Sequence, residues 1–578
     1  MGLVNGALQI GQGALLSYQS ALQIIGNNIA NGGTDGYVRQ TPLLTALRGV
    51  ALPEGLMPGG GVALTALQRN MDEAVESRLR AAIGDEKMNL AGRQALTQLE
   101  ALYNELGDQG LSGLINDFFA AFQAVQNTPA DLPTRGIAIS AGQTLADQLH
   151  QTRSDLLGMY DQLNQQIQTL TGRANDLAGQ VADLNREIVR SESGNPGAAA
   201  ALRDQRDGVL KKLAEVIDIH TIETPQGAVN VYVGNQPLVQ LTESRGLTTA
   251  IRTGTYGSTV DIRFADTHES LAITTGQIVG LTTVRDVHLV GQIQQIDTLA
   301  TALIEQVNRL HSQGQGLDIL TDLTGSYTVG DPAAALNSNA AGLPFDPVNG
   351  TFKLTVGQVT KDPATGKDVM TDEQEYVIPV SLMGLGADMS LQDLVGYINA
   401  NVSDVTASVT ADNRLRLQAS SGYGFAFSED TSGGLAALGV NVFFTGHNAG
   451  DIGVESNLAT HPGRLAAGLS DAEGDGSNAG RIAALATMAV PGLGNMSIPG
   501  HWQASVAQLA SSSAAAQYAS EATHGVAQSL QAQRESVSGV NIDEEAVNLM
   551  RYQRSFQAAA RYVSIVDELV NEMLSMVK

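Results

Sequence analysis

Among the side chains that could do chemistry, the nine histidines come first: His150, His220, His268, His288, His311, His447, His461, His501 and His524. A helix offers two imidazoles to one metal when they stand about four residues apart. The closest two here, His447 and His461, are 14 apart, so no shared ligand set is expected from them. There are no cysteines, which removes disulfides, thiolate metal sites and a thiol nucleophile. Asp471-Ala472-Glu473-Gly474-Asp475-Gly476 spaces its carboxylates as the first half of a calcium loop does. Position twelve, however, is Ile482, where a bidentate Glu is needed. Ser575-Met576-Val577-Lys578 fits the SxxK pattern of acyl-transfer enzymes, but at the end of a helical pattern, where chance explains it. No Walker lysine loop, GxGxxG turn or GxSxG elbow is present. The 59 acidic residues could supply an acid–base pair, and no spacing singles one out. The expectation is no catalytic residue, no cofactor and no metal ligand.

Charge and composition narrow the classes further. Lys and Arg number 33 against those 59 acids, a net charge of −26 over 578 residues. Such a surface repels phosphate backbones and anionic lipid, so no nucleic acid is expected as a partner. Aromatic residues are 4% and charged residues 16%, while glycines number 63. The chain can bury a large core from small and aliphatic side chains, but it is short of the aromatic anchors usual in ligand pockets. Met1-Gly2-Leu3-Val4-Asn5 lacks a basic segment followed by an apolar run, so no cleavable signal is expected there. Gly6 stands where a myristoylation signal needs Ser or Thr. No window approaches 18 apolar residues, so no membrane insertion is expected.

The elements that would position any functional residue are legible from periodicity. Tyr160, Leu163, Ile167, Leu170, Ala174, Leu177, Val181, Leu184 and Ile188 alternate spacings of three and four, the seam of a long coiled helix. Ile293, Ile296, Ala300, Leu303, Val307 and Leu310 repeat the rhythm. Met71–Leu106 and Leu111–Val125 are shorter helical patterns, and Asn127-Thr128-Pro129 breaks the chain after them. Gln503–Glu535, rich in Ala and Ser, is expected as a closely packed helix. The period switches to two at Val229, Val231 and Val233, and a β-rich stretch is expected from Asp322 to Glu455. Within it Val405, Ala407 and Val409 face Leu415, Leu417 and Ala419 across Ala411-Asp412-Asn413 as in a hairpin. Ser390 and Asp393 cap one interrupting helix.

Both chain ends carry apolar seams. At the N-terminus the seam is Val4, Leu8, Leu15, Tyr18, Leu22, Ile25 and Ile29, interrupted only at Gly11. At the C-terminus Ile542, Leu549, Phe556, Val563, Val570 and Val577 recur every seven residues, and Tyr552, Ala559, Val566 and Met573 fill the second seam. Asn541 is the expected N-cap, and Lys578 sits at the negative end of the helix dipole. The natural partner of each stripe is the other one, or another copy of the chain. The expected fold is mainly α with β insertions: long coiled-coil-like helices from both termini, a helical core, and an inserted mostly β domain. Its segments are 1–45 (N-terminal assembly helix, pairing with the C-terminus), 46–321 (first part of the core, with a hairpin), 322–455 (β-rich outer domain), 456–540 (second part of the core) and 541–578 (C-terminal assembly helix).

Residues 27–40 read Asn27-Asn28-Ile29-Ala30-Asn31-Gly32-Gly33-Thr34-Asp35-Gly36-Tyr37-Val38-Arg39-Gln40. This resembles the N-terminal signature of bacterial flagellar axial proteins, in which a helix ends in NNIAN and continues as TxGYxR. Ser538-Gly539-Val540-Asn541-Ile542-Asp543-Glu544-Glu545-Ala546, with Tyr552-Gln553 and Phe556–Arg561, resembles that family's other end. The GVNxDEE form, with Leu202–Asp207 and the strand Val229–Gly234, points to the hook-associated members. Two positions depart from the pattern, Asp35 where the family has Pro and Gly33 where it has Asn; both residues favour turns. The resemblance assigns the motif residues Asn27, Asn28, Asn31, Thr34, Gly36, Tyr37, Arg39, Asp543, Glu544 and Glu545. It implies a non-enzymatic protein secreted through the flagellar channel to the extracellular junction of hook and filament. Implied partners are further copies in a ring-like homo-oligomer, the hook protein, a second junction protein and an export chaperone. The seams are then self-assembly surfaces, with the ends poorly ordered in an isolated monomer and helical on assembly. Alternatives are a hook or distal rod protein, or a secreted α+β enzyme.

Overall fold

The computed structural model describes residues 2–34, 36–49, 59–103, 110–193, 198–363, 366–384 and 388–576. Asp35, Val577 and Lys578, used in the sequence reading above, lie outside the described residues. In chain order come α1 (Gly2–Ala30), β1 (Gln40–Ala46), β2 (Val62–Arg69), α2 (Glu73–Tyr103), α3 (Leu111–Asn127), α4 (Leu132–Glu192) and α5 (Ala200–Val216). Strands β3 (His220–Glu223), β4 (Val229–Val233), β5 (Gln236–Gln240), β6 (Glu243–Ser244), β7 (Leu247–Gly254) and β8 (Gly257–Phe264) follow. Then come α6 (Gln277–Thr283), a π-helical turn over Val284–Leu289, and α7 (Val290–His311). The β-rich stretch holds β9 (Asp322–Thr324), β10 (Gly350–Lys361), β11 (Asp368–Val380), α8 (Leu391–Asn401), β12 (Val405–Val409), β13 (Leu415–Ala419) and β14 (Tyr423–Ser428). The chain closes with α9 (Gly434–Ala437), β15 (Phe444–Thr445), β16 (Gly453–Val454), α10 (Ser456–Thr460), α11 (Ser477–Ala484), α12 (Ile498–Ser538) and α13 (Ile542–Met576).

Two compact units result, in place of the five consecutive segments expected. The first gathers residues 1–96, 161–285 and 514–578; the second gathers 97–160 and 286–513. A boundary falls within α2, within α4 and within α12, because uninterrupted helical seams give the chain no loop at which to divide.

In the first unit β1 pairs antiparallel with β2, with a bulge between Leu43 and Leu44. Strands β3 to β6 form one antiparallel meander, and β7 pairs with β8. The alternation at Val229, Val231 and Val233 is the buried face of β4. The second unit has two cores. One is aromatic: Phe118, Phe119, Phe122, Phe443 and Phe444 pack edge to face, as ring quadrupoles prefer. A Cβ on Gly142 would lie 2.5 Å from the Phe443 ring, so only glycine lets α4 come this close. The other core lies between the sheets β11-β10-β14 and β12-β13-β9, where Phe352, Leu354, Ile378, Leu391, Leu394, Leu415, Leu417 and Phe427 are buried. Ser390 caps α8 through the backbone N–H of Asp393, whose carboxylate accepts from the Ser390 N–H in return.

Candidate assembly site at the joined chain ends

The apolar seams of α1 and α13 pack on one another inside the first unit. Ala21 and Ile25 are fully covered and touch Tyr552, with Tyr18, Leu22, Ile29 and Leu549 around them. The ring of Tyr18 lies 6.4 Å from that of Tyr552. The seams thus have an intrachain partner in one another. The two C-terminal seams are also unequal. Tyr552, Ala559 and Val566 are buried, Leu549, Phe556, Val563 and Val570 are half-buried, and Ile542 and Met573 are 58% and 50% exposed. On α1 the covered positions are Gly11, Ser17, Ala21, Ile25 and Asn28, while Val4, Leu8, Leu15, Tyr18, Leu22 and Ile29 are half-buried. The stripe is shifted because α1 also packs on β2: the Ser17 hydroxyl donates to the Val62 carbonyl at 3.2 Å. Small side chains mark that line, and an apolar count passes over them.

At Gly11, the gap in the expected seam, α1 packs tightly on α13. A Cβ there would stand 2.5 Å from Val563 Cγ2 and 3.2 Å from the Tyr562 ring. No larger side chain fits without parting α1 from α13.

The sequence motifs of the two ends meet at one polar centre. Asn28 is wholly buried at the end of α1. Its Nδ2 donates to the Gln40 carbonyl and to Glu545 Oε2, both at 2.8 Å. Its Oδ1 accepts from the Gln40 N–H at 3.1 Å and from the Tyr37 hydroxyl at 2.8 Å. All four hydrogen bonds available to a carboxamide are made, which lets it be buried without penalty. Glu545, 1% exposed, takes Arg39 Nε at 2.9 Å and Nη2 at 2.7 Å on its other oxygen. Arg39 Nη1 reaches Glu544 Oε2 at 2.8 Å, so one guanidinium bridges the two glutamates. Burial works against the Arg39 charge, but Glu545 and Glu544 outweigh it and raise its pKa. Burial, with Asp204 and Glu545 nearby, pushes the Tyr37 phenol up to about 12, which keeps it a donor.

The remaining motif residues shape the approach. Asn31 Nδ2 donates to the carbonyl and to Oδ1 of Asn27, and Thr34 Oγ1 donates to Asn31 Oδ1 at 3.3 Å. The Tyr37 N–H donates to the Thr34 carbonyl, closing a turn whose third position is Gly36 at φ +79°, a conformation that favours glycine. The Arg39 N–H donates to the carbonyl of Ser538 at the end of α12. Asn541 Oδ1 caps α13 by accepting from the Asp543 N–H at 3.0 Å, and Asp543, Glu544 and Glu545 occupy the positive end of the helix dipole.

Four further ion pairs were not foreseen. Arg534 Nε donates to Glu76 Oε1 at 2.9 Å and its Nη2 to the Gly36 carbonyl at 3.0 Å. Lys211 Nζ stands 3.2 Å from the other Glu76 oxygen. Burial raises the Glu76 carboxyl, yet Lys211 and Arg534 together hold it below the ordinary glutamate value. Arg69 pairs with Asp204 at 2.6 Å and Asp207 at 2.5 Å, placing the Leu202–Asp207 segment behind the β1–β2 hairpin. These partners lie on separate elements up to 458 residues apart, where spacing carries no signal. Among the described residues no group of three or more His, Asp or Glu is placed to hold a metal. Nor, among them, is any helix long and apolar enough to cross a membrane.

Residues 96–325 match the family described as flagellar hook-associated protein FlgK helical domain. Residues 531–576, which hold α13, match the flagellar basal body rod FlgEFG protein C-terminal family. Flagellar hook-associated protein 1 of Salmonella typhimurium is 26% identical over 594 residues, spanning 99% of each chain. The chain is similar to flagellar hook-associated protein 1 along nearly its whole length. The proteins of that name from Escherichia coli and Bacillus subtilis align at 26% and 24% identity, covering 98% of this chain and 99% and 97% of theirs. The solved flagellar hook junction protein FlgK from Burkholderia pseudomallei superposes with a TM-score of 0.49 at 16% identity, over 80% of this chain and all of that one.

Proposed function

We propose that the chain is a structural subunit of the bacterial flagellum that self-assembles where hook meets filament and connects the two. The observation that carries this reading is an uncovered apolar stripe on the C-terminal part of α13. There Ile565, Leu569, Met573 and Met576 are exposed, from 50% to 75%. A monomer seldom leaves such a continuous apolar stripe in water, and covering it contributes about 25 cal/mol per Å². The clasp around Asn28 and Glu545 fixes the helix pair, so the stripe is presented as a finished surface. In this reading the stripe meets other copies in a ring-like assembly, and the hook protein and a second junction protein flank it. An export chaperone delivers the chain, which acts outside the cell and without catalysis. The carboxylates of the site agree with that: Glu76, Asp204, Asp207 and Glu545 are each engaged by an arginine or a lysine. Deleting the gene tests the proposal. Bare hooks with flagellin released to the medium, restored by the intact chain, are the expected result; normal filaments in the deletion strain would refute it.

A further inference from the structure

In the second unit a knot of polar side chains holds the C-terminal end of α7. Asn308 Nδ2 donates to the Phe444 carbonyl at 2.8 Å, and its Oδ1 accepts from the Phe443 and Phe444 N–H groups at 3.0 and 2.9 Å. Asn441 Nδ2 lies 3.0 to 3.3 Å from the carbonyls of His311, Ser312 and Gly314. Asn478 Nδ2 donates to the Leu310 and Ala466 carbonyls at 3.0 and 2.8 Å. The fourth member is His311, 0% exposed. Its Nδ1 stands 2.8 Å from the Asn441 carbonyl, and its Nε2 stands 3.0 Å from the Ala466 nitrogen. A carbonyl only accepts and a backbone N–H only donates, so these partners fix the neutral ring with its proton on Nδ1. Carboxamides do not titrate, so His311 is the member of the knot that pH can change.

Arg135 of α4, 1% exposed, grips the residue before Ala466: its Nη1 donates to the Leu465 carbonyl at 2.5 Å, and its Nε donates to the Pro129 carbonyl at 2.6 Å. A proton added at Nε2 of His311 would meet the Ala466 N–H head on, and the new cation would feel the charge of Arg135. The other elements around the ring offer no relief. Asn441, Phe443 and Asn478 carry no charge, Arg309 on α7 pairs with Glu305, and Arg464 lines a neighbouring cavity with Asp318 and Asp471. Asp318 acts on Arg135, and among the described residues no carboxylate pairs with the imidazole. Burying a cation without a counter-charge is costly. We propose that His311 is an acid-sensitive latch, which when neutral ties α7 to the segments around Asn441 and Ala466 and when protonated lets them go. Burial pushes its pKa down to about 4; the Asn441 carbonyl opposes this and the Arg135 charge adds to it. That lies below the ordinary value of about 6.5, so the unfolded chain takes up the proton first. The contribution of the latch is complete above about pH 6.5 and is lost as pH falls toward about 4.

The chain's one tryptophan, Trp502, is buried in the same unit, and its fluorescence reports urea unfolding of that unit in the full chain at pH 7, 6 and 5. Through His311 alone the unfolding constant should rise by about twentyfold between pH 7 and pH 5. His311→Gln keeps an acceptor for the Ala466 N–H and takes up no proton, so its pH profile should be flatter than wild type by that factor. His501, buried in this unit and also lowered by burial, titrates in both proteins and cancels in the comparison. His311→Asn serves if the first variant does not fold, and NMR of the wild-type chain with labelled histidine titrates the imidazole directly. A ring that stays neutral at pH 5 in the folded chain is expected. Parallel profiles for wild type and a folded variant, or a His311 ring that titrates near pH 6.5 in the folded chain, would overturn the proposal.

Discussion

Asn28 illustrates what one residue contributes when all its hydrogen bonds are satisfied. Its amide donates to Glu545 while its oxygen takes the Gln40 and Tyr37 donors, so the group distinguishes a carboxamide from any isostere. Asn28→Asp removes both donors and sets a second carboxylate against a buried one. The loss should be about 3 kcal/mol or more, read as faster hydrogen exchange at Ala21 and Tyr552. Protection equal to wild type would show that the centre does not hold the helices. Glu76 gives a pH-dependent prediction at the same scale. Its folded pKa lies below the ordinary value of about 4.3, so its contribution is complete above that value and is lost as pH falls through the folded one. Asp204, raised by burial despite Arg69, works in the opposite sense and softens the acid limb. Glu76→Gln should therefore lower stability at pH 7 by about 3 kcal/mol and flatten the decline between roughly pH 5 and 3. A variant whose acid melting profile runs parallel to wild type would assign the pH dependence elsewhere.

At the level of elements, the pairing of α1 with α13 turns on Gly11. Replacing it with Leu improves helix propensity by about 1 kcal/mol but overpacks against Val563 and Tyr562 at a cost of about 1–3 kcal/mol, so the pair should loosen. Exchange rates along α13 should rise from Tyr562 onward and stay unchanged at Glu545. What the sequence made legible here was local and periodic. The α8 capping box, the Val405–Ala419 hairpin and the α13 heptads all lie within about 35 residues of chain, where spacing translates directly into geometry. The true contact line of α1 was not legible, because Ser17, Ala21 and Gly11 are small and their burial depends on β2 as well as α13. Arg534 with Glu76 and Lys211 was beyond reading for another reason: three distant elements meet, and none carries a periodic mark. The β-rich stretch closes on itself, since the Ser326 N–H donates to the Gly439 carbonyl at 2.9 Å. Replacing residues 327–438 with a short Gly-Ser linker should leave the exchange protection of the first unit unchanged, and loss of protection there would show that the stretch is not separable.

For the whole molecule, α13 carries a buried apolar line and an uncovered one beside it. Tyr552, Ala559 and Val566 are buried where α13 joins α1, while Ile565, Leu569, Met573 and Met576 beside them stay uncovered. The substitution that separates the two lines is Ile565→Asp with Leu569→Asp, 56% and 52% exposed and one helical turn apart. In the purified chain both carboxylates are solvated, so melting should shift by no more than about 0.5 kcal/mol per site. In an assembly they would be buried unpaired, a cost of several kcal/mol at every copy. The decisive measurement is therefore the number of filaments on hooks of a deletion strain carrying the double variant, read beside the melting curve of the same purified protein. A near-normal melting temperature and bare hooks are expected; filaments at wild-type number on a normally folded variant would contradict an assembly role for the stripe.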